Sequence, residues 1–445
     1  MVFTHPLSEK NYNPMKFHLF STIAMKYFIL AIFFFLLSLC TLNAQERVLI
    51  PMDGSQTNHL KAYGIIFNHI TAGETGIWLL NYRGGSFLTT NENEIVRKSR
   101  LRNVRVEIIS EAEAAEIIGY VEQPNVNMAS INLETAPKVA VYSPPQSLPW
   151  DDAVTLALDY AEIPYDTIYD VEILSGVLSE YDWLHLHHED FTGQFGKFWA
   201  MYRNAPWYIT RVRQLEEMAS GLGFEKVSQL KLAVVHEIRD FVAAGGFMFA
   251  MCSATDTFDI ALAANGLDIV PTPLDGDPVD PNVNERLNFN NTFAFENFEV
   301  ITDPYIYEHA DVDIEVDLNR ISESLDYFTL FEFSAKWDPV PAMLTQNHVS
   351  SIRGFYGQAT AFQKDKIKSS VVILGESPGR EQAKYIHGNY GQGTFTFYGG
   401  HDPEDYTHRV GDPPTDLSLH PNSPGYRLIL NNVLFPAAEK KKRQT

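Results

Sequence analysis

Apolar and polar positions alternate along most of the chain in a way that predicts strands and helices in turn. Short apolar runs at 139–142 and 247–251 are each followed by a longer segment with apolar residues at helical spacing, at 151–161 and 255–264. Short apolar runs between turn residues are typical of buried strands, and longer amphipathic segments are typical of helices. Because the two kinds of element alternate, we expect an α/β fold with a mostly parallel sheet and helices on both faces.

The same pattern divides the chain into two β/α series. We expect a small α/β subdomain at 45–125 and a polar linker at 126–137. A larger α/β domain follows at 138–438. Turn-rich sequence interrupts that domain at about 267–345, which we interpret as an irregular insertion, and residues 439–445 read as a basic tail.

Residues 1–44 have the pattern of a secretory signal peptide. Lys26 precedes an apolar run at 27–39, and Ala44 supplies the small residue of a cleavage site. This run is shorter than the about 20 residues that a membrane-spanning helix needs. We therefore expect an exported chain, periplasmic, envelope-associated or secreted, with no integral membrane span after cleavage. Met25 is an alternative start of the same signal.

Composition and charge narrow the classes of partner. The 445 residues are 45% apolar and 20% charged, which is typical of a folded protein, and the formal charge is −22. Nucleic acid is not an expected partner, because phosphate backbones are bound through Lys and Arg. No glycine-rich phosphate loop follows a strand, so nucleotide binding is not expected either. A small molecule, a glycan or a peptide is the expected ligand, and the oligomeric state is left open.

Cys252 lies between an apolar strand and a helix. This is the context of a nucleophile elbow, in which a sharp turn presents a reactive atom at the end of a strand. Ala250 and Ala254 are small, as such a turn requires. Backbone N–H groups at the start of a helix lower a thiol's pKa and can stabilise an oxyanion. Signal cleavage removes Cys40, which leaves Cys252 without a bridging partner and therefore buried, intermolecular or reactive.

A histidine with nearby carboxylates follows the last predicted strand. A thiol nucleophile needs a base, and the base needs a carboxylate that holds its tautomer. His401 is the expected base, with Glu404 or Asp402 as the orienting group. The three residues with Cys252 form the predicted catalytic set.

A second polar cluster occupies 185–190. On a strand, His185 and His187 point to one face, an arrangement that can bind a divalent metal. The residues expected to bind substrate near this edge are His187, His188, Glu189, Asp190 and Ser253. The alternative is a half-buried strand whose histidines hydrogen-bond to neighbouring loops. No cofactor is required by these interpretations, and a divalent metal is the alternative.

From residue 138 onward the chain resembles the class I glutamine amidotransferase-like fold. The resemblance is carried by the strand 139–142, the elbow around Cys252, the segment 393–404 with its histidine, and the final helix 426–434. Active members usually have Gly-x-Cys-x-Gly and His-x-Glu motifs, whereas alanines flank Cys252 here and the acid follows His401 by one or three residues. The resemblance implies attack of a thiol on a carboxamide.

Nearly the whole chain also resembles secreted bacterial proteins labelled asparagine synthetase B. The resembling stretches include 51–64, 81–87 and 185–193. That synthetase uses an amino-terminal cysteine and a Ser-Gly-Gly-x-Asp-Ser-type pyrophosphate loop, and the nearest approach to this loop is at 84–86. The motifs therefore do not support the activity that the label names.

Two functions of different class follow from these observations. The first is an exported, thiol-dependent amidase or glutaminase-like hydrolase. The second is a non-catalytic envelope or secreted protein that binds a glycan, a peptide or a partner subunit at the 185–190 edge. A metal-dependent hydrolase is a third interpretation of the same residues.

Overall fold

A computed structural model describes residues 1–2, 46–90, 93–145, 151–313 and 322–439. The described residues from Arg47 onward belong to one compact unit. The predicted signal peptide at 1–44 lies outside the described residues except for its first two, and the predicted basic tail lies outside them except for residue 439. Both interpretations therefore stay predictions.

The strands of the described chain form two sheets. In chain order they are β1 (Glu46–Ile50), β2 (Gly76–Leu80), β3 (Ser86–Thr90), β4 (Glu107–Ser110), β5 (Ala129–Leu133), β6 (Val139–Tyr142), β7 (Asp166–Ile168), β8 (Trp183–Leu186), β9 (Phe247–Met251), β10 (Tyr327–Leu330), β11 (Ser351–Arg353), β12 (Phe362–Gln363), β13 (Val372–Glu376), β14 (Gln382–Tyr390) and β15 (Gly393–Tyr398). The five-stranded sheet has the order β4-β1-β3-β2-β5. The ten-stranded sheet has the order β11-β10-β13-β14-β15-β9-β8-β6-β7, with β12 paired to β14.

Helices connect and cover these strands. The α-helices span His59–Thr71, Asn93–Leu101, Glu111–Val121, Ala153–Ala161, Asp170–Leu174, Trp199–Tyr202, Pro206–Gly221, Val227–Ala243, Ala254–Ala263, Thr272–Asp275, Val283–Arg286, Pro339–Leu344 and Pro424–Leu434. Within the described ranges, none of them combines the length and hydropathy needed to cross a membrane.

The large sheet is mixed. Its strands β7, β6, β8, β9 and β15 run parallel to their neighbours. Beyond β15 the strands β14, β13, β10, β11 and β12 pair in antiparallel fashion. The expected α/β fold with a parallel sheet is confirmed for the first group. The expectation of a mostly parallel sheet does not cover the antiparallel strands β13, β10, β11 and β12, because short hairpin strands carry the same apolar signal as crossover strands.

Both faces of the parallel strands are buried. On β9, Phe249 and Met251 belong to one core cluster, whereas Met248 and Ala250 belong to the other. The first cluster includes apolar residues of the helices His59–Thr71, Ala153–Ala161 and Pro424–Leu434. The second includes those of Pro206–Gly221, Val227–Ala243 and Ala254–Ala263. Burial on both faces explains why β6 and β9 are apolar at every position.

The structure shows regular elements inside two segments that were expected to be irregular. The polar stretch 126–137 is not simply a linker, since it contains β5, which pairs with β2 along its whole length. Its alternate residues Ala129, Ile131 and Leu133 are buried, and the polar residues between them hide this period-two pattern. The predicted insertion 267–345 is also shorter, because β10 and the helix Pro339–Leu344 belong to the regular fold.

Candidate functional site

Three adjacent strands end at one edge of the large sheet. The order β15-β9-β8 is parallel, so their carboxyl ends lie side by side. His187 and His188 follow β8, Cys252 follows β9, and His401 follows β15 after two glycines. Open α/β sheets bind their ligands at this edge. A cavity of about 470 Å³ opens there, and Cys252, His188 and His401 are among its lining residues.

The turn at Cys252 has the predicted elbow geometry. Cys252 has φ of 51°, in the left-handed region that non-glycine residues rarely adopt. The strand β9 ends one residue earlier, and the helix Ala254–Ala263 begins two residues later. Ala250 and Ala254 are completely buried, so larger side chains at these positions would not fit. The local sequence therefore builds a sharp strand-to-helix turn with the sulfur on the cavity wall.

The thiol is neutral in this setting. Burial raises the pKa of Cys252 to about 11, although the backbone N–H groups of Gln358, Ser253 and Ala359 act in the opposite direction. The Gln358 N–H donates a hydrogen bond to the sulfur at 3.2 Å. No histidine among the described residues is hydrogen-bonded to this sulfur. The sulfur is thus surrounded by backbone donors and has no resident base at hydrogen-bonding distance.

His401 is a buried, neutral imidazole. Neither of its ring nitrogens has a hydrogen-bond partner within the part of the chain that is described. Its backbone N–H donates to the Tyr356 carbonyl at 2.8 Å, and its ring stacks on His408 at 3.7 Å. Burial, and then the imidazoles of His187, His408 and His188, hold the pKa of His401 well below its ordinary value.

The carboxylates predicted to orient His401 have other partners. Glu404 Oε2 lies 3.0 Å from His420 Nδ1. Asp402 Oδ1 accepts a hydrogen bond from the Glu404 N–H at 2.8 Å. The turn that follows His401 folds back on itself, and this directs both carboxylates away from the role that was predicted for them. Cys252 and His401 share the cavity, but the predicted catalytic set is not assembled.

A different histidine in the cavity wall has an orienting carboxylate. His408 Nδ1 lies 2.9 Å from Asp405 Oδ2, and His408 lines the cavity. Its Nε2 atom lies 3.6 Å from Asp151 Oδ1 and has no hydrogen bond with any described residue. Sequence reasoning missed this pair. The only signal was an acid three residues before a histidine, which is common in surface loops.

His185 on β8 and His187 just after the end of β8 both contact the carboxylate of Asp152. Asp152 Oδ2 lies 3.0 Å from His187 Nδ1 and 3.3 Å from His185 Nε2. The predicted common face of the two rings is confirmed by this arrangement. Burial opposes ionisation of Asp152, but His187 and His185 outweigh it and hold its pKa well below the ordinary value. The other oxygen of Asp152 caps the helix Ala153–Ala161.

Four of the five residues predicted to bind substrate, His187, Glu189, Asp190 and Ser253, do not line the main cavity. Glu189 Oε1 accepts a hydrogen bond from Arg211 at 2.9 Å within a buried ionic cluster. Asp190 Oδ2 accepts from the Gly196 N–H at 2.8 Å, which shapes the loop after β8. Ser253 is 1% exposed, and its Oγ has no hydrogen-bond partner among the described residues. Their environments are internal, so substrate contact is left to His188.

The rest of the cavity wall is rich in aromatic rings. Phe198 and Tyr202 come from the segment after β8, and Tyr307 and Tyr356 come from the two long loops beyond the helix Ala254–Ala263. Phe198 packs against Tyr202 and Tyr307 with ring centroids 5.9 Å and 6.1 Å away. Asp313 and Arg409 add opposite charges. The cavity therefore offers a ligand both apolar faces and charged groups.

Several histidine and carboxylate groups at this edge have the geometry of metal ligands. One atom from each of His187, His188 and His401 lies within 4.8 Å of the others, and the same holds for Asp152, His185 and His187. Asp151, His401 and His408 form a third such group. The predicted metal ligands His185 and His187 are thus close together, but His185 is completely buried behind the cavity wall.

Comparisons with known proteins add little to this geometry. No family model matches the chain, and no curated protein matches it. Solved structures with partial similarity include the cytoplasmic protein STM3548 of Salmonella typhimurium, at 10% identity and a TM-score of 0.32, covering 68% of this chain and 100% of that one. The cytoplasmic protein STM1381 of Salmonella typhimurium LT2 has 12% sequence identity and a TM-score of 0.34, and the match covers 68% of this chain and 100% of that one. The GH42 β-galactosidase Gan42B has 12% sequence identity and a TM-score of 0.27, and the match covers 60% of this chain and 28% of that one.

Proposed function

We propose that the cavity is the active site of a thiol-dependent hydrolase that acts on a small carboxamide. The observation that carries this proposal is the position of Cys252. Its left-handed backbone at the end of β9 directs a sulfur atom onto the wall of a cavity that also contains imidazoles. Packing alone gives Cys252 no reason to adopt a strained backbone conformation. The strain is explained if the turn presents Cys252 to a substrate as a nucleophile.

The proposed reaction balances without any further reactant but water. Cys252 Sγ attacks the carboxamide carbon, and its proton passes to His408 Nε2. Asp405 holds the His408 tautomer through the 2.9 Å contact with Nδ1. His408 then gives the proton to the departing nitrogen, which leaves as ammonia. Water hydrolyses the thioester to a carboxylic acid and restores the thiol.

A neutral resting thiol is compatible with this chemistry. Neutral nucleophiles are activated in the transition state when a base takes their proton as the new bond forms. The backbone N–H groups of Gln358, Ser253 and Ala359 are donors beside the sulfur. The Ala254 N–H is already donated to the His187 carbonyl at 3.0 Å, so it does not serve an oxyanion.

The remaining expectations belong to the same proposal. The parallel strands and the elbow after β9 support a class I glutamine amidotransferase-like arrangement. Export remains part of the proposal on the strength of the amino-terminal sequence alone. The label asparagine synthetase B is not adopted, because the pyrophosphate loop that its activity needs is not in the sequence.

The second candidate is a non-catalytic binding protein. The aromatic rings of Phe198, Tyr202 and Tyr307 on the cavity wall favour it, since such rings stack on sugar or aromatic faces. Under this interpretation Cys252 only packs against its neighbours, and no bond in the ligand is broken.

Ammonia release from small primary carboxamides, beginning with glutamine and asparagine, separates the two candidates. We expect Cys252→Ser to abolish hydrolysis and His408→Gln to lower kcat by about 100-fold or more. His420→Gln is the matched control, because His420 pairs with Glu404 and does not line the cavity. It should retain activity within about twofold. Hydrolysis that survives Cys252→Ser, or ligand binding without any turnover by the wild type, contradicts the proposal.

A further inference from the structure

We infer that His187, His188 and His401 together bind one divalent transition-metal ion of the zinc type. The ion goes beyond the proposed thiol chemistry, because none of these three residues has a role in it. The three ligands come from the ends of β8 and β15, which flank β9 in the sheet.

The ligand atoms are nearly close enough to bind the ion as they stand. One ring nitrogen of each histidine lies within 4.8 Å of the other two. Tetrahedral zinc with bonds of about 2.0–2.1 Å holds its ligand nitrogens about 3.3 Å apart, so the closure required is at most about 1.5 Å. Rotations of the imidazole side chains can supply such a movement.

Unsatisfied nitrogens provide an independent reason to expect an ion. His187 is 2% exposed and His401 is 5% exposed, and His187 Nε2 and both ring nitrogens of His401 have no hydrogen-bond partner among the described residues. Leaving a buried polar atom without a partner is unfavourable, so these unpaired nitrogens indicate a missing ligand. The two imidazoles lie next to each other, with ring centroids only 4.3 Å apart.

A carboxylate behind the cluster supports the same conclusion. Asp152 Oδ2 contacts His187 Nδ1 at 3.0 Å, which leaves Nε2 as the atom available to a metal. Histidine ligands of metals usually have a carboxylate or carbonyl on the second nitrogen, where it fixes the tautomer and the ring orientation. Asp152 and Asp151 also place negative charge close to the proposed cation.

The ligand set indicates the kind of ion. Three imidazole ligands suit zinc, copper or nickel, whereas calcium and magnesium prefer oxygen ligands. A site with three histidines also leaves a fourth position for water or a substrate oxygen. Because His188 and His401 line the cavity, an ion there acts on the same ligand as the thiol.

Metal binding is measured on the full chain after chelator treatment, with Zn²⁺ followed by elemental analysis after dialysis and Co²⁺ followed by its visible absorption. We expect one equivalent of Zn²⁺ and a tetrahedral Co²⁺ spectrum. His187→Gln and His401→Gln should each weaken binding by about 100-fold or more, and Asp152→Asn by about 10-fold or more. His236→Gln, on the helix Val227–Ala243 and outside the cluster, should bind as the wild type does.

The inference is overturned if the wild-type chain binds less than about 0.2 equivalents of Zn²⁺, which is about one ion for every five molecules. Binding that is unchanged in His187→Gln and His401→Gln also overturns it. If either variant does not fold by circular dichroism, the wild-type Co²⁺ spectrum and the Asp152→Asn affinity decide. Repeating the titration in Cys252→Ser separates this inference from the proposed function, because that variant cannot form a thioester but should bind the ion normally.

Discussion

The ionisation of Cys252 can be followed through its rate of alkylation by iodoacetamide, since only the thiolate reacts. The perturbation is a change of pH on the folded chain. With a pKa of about 11 for this thiol, roughly 3 in 10,000 molecules carry the thiolate at about pH 7.5. A free cysteine with a pKa of about 8.5 is about one tenth ionised at the same pH. We therefore expect alkylation about 300-fold slower than in the urea-unfolded chain.

Peptide mass spectrometry provides the assay, because it reports Cys252 separately from Cys40. The logarithm of the rate should rise by about one for each pH unit up to about pH 10, without reaching a plateau. Restricted access alone would lower the rate at every pH but would leave the midpoint near that of a free thiol. His408→Gln should not shift the profile, because none of the histidines that the structure describes is hydrogen-bonded to the sulfur at rest.

A plateau with its midpoint below about pH 8 would refute this reasoning. It would mean that an imidazole forms an ion pair with Cys252 in the resting protein. His401, whose nitrogens have no hydrogen-bond partner among the residues described, would then be the first residue to reconsider.

Three further predictions concern the scaffold around the cavity. Gly357→Ala puts a Cβ atom 2.7 Å from the backbone nitrogen of His401, so the His401 backbone has to move. Thermal melting should show a folded chain, and metal titration should show weakened binding. An affinity equal to that of the wild type would contradict this close contact. Lys231→Met leaves the buried Asp170 without the ammonium group that lies 3.0 Å away. Urea unfolding should show that the free energy of unfolding falls by about 3–5 kcal/mol. A decrease below about 1 kcal/mol would count against a buried ion pair. Burial lowers the pKa of Lys384 to about 7, so the unfolded chain binds its proton more readily between that pH and about 10.5. Wild-type stability should therefore fall as the pH decreases across this range, and urea titrations of Lys384→Met should show a smaller pH dependence.

The sequence alone predicts the parts of this protein that depend on local burial. The apolar run at 247–251 has the same bounds as β9, and the helix predicted at 255–264 is Ala254–Ala263. Cys252 could be identified as an elbow residue because small neighbours, a preceding strand and a following helix are all local signals. The spacing of apolar residues that is typical of strands and helices is a local property of the sequence, so it can be recognised without knowing which distant residues are in contact.

Tertiary structure alone decided which polar side chains meet. Glu404, with Asp402 as the alternative, was the predicted partner of His401, but the fold pairs Glu404 with His420 and places Asp405 beside His408. Asp152 reaches His187 only because the strands β6 and β8 are neighbours in the sheet. A hydrogen-bonding partner depends on loop conformation and strand order, where a displacement of a few ångströms exchanges one carboxylate for another, and no pattern along the chain encodes that displacement.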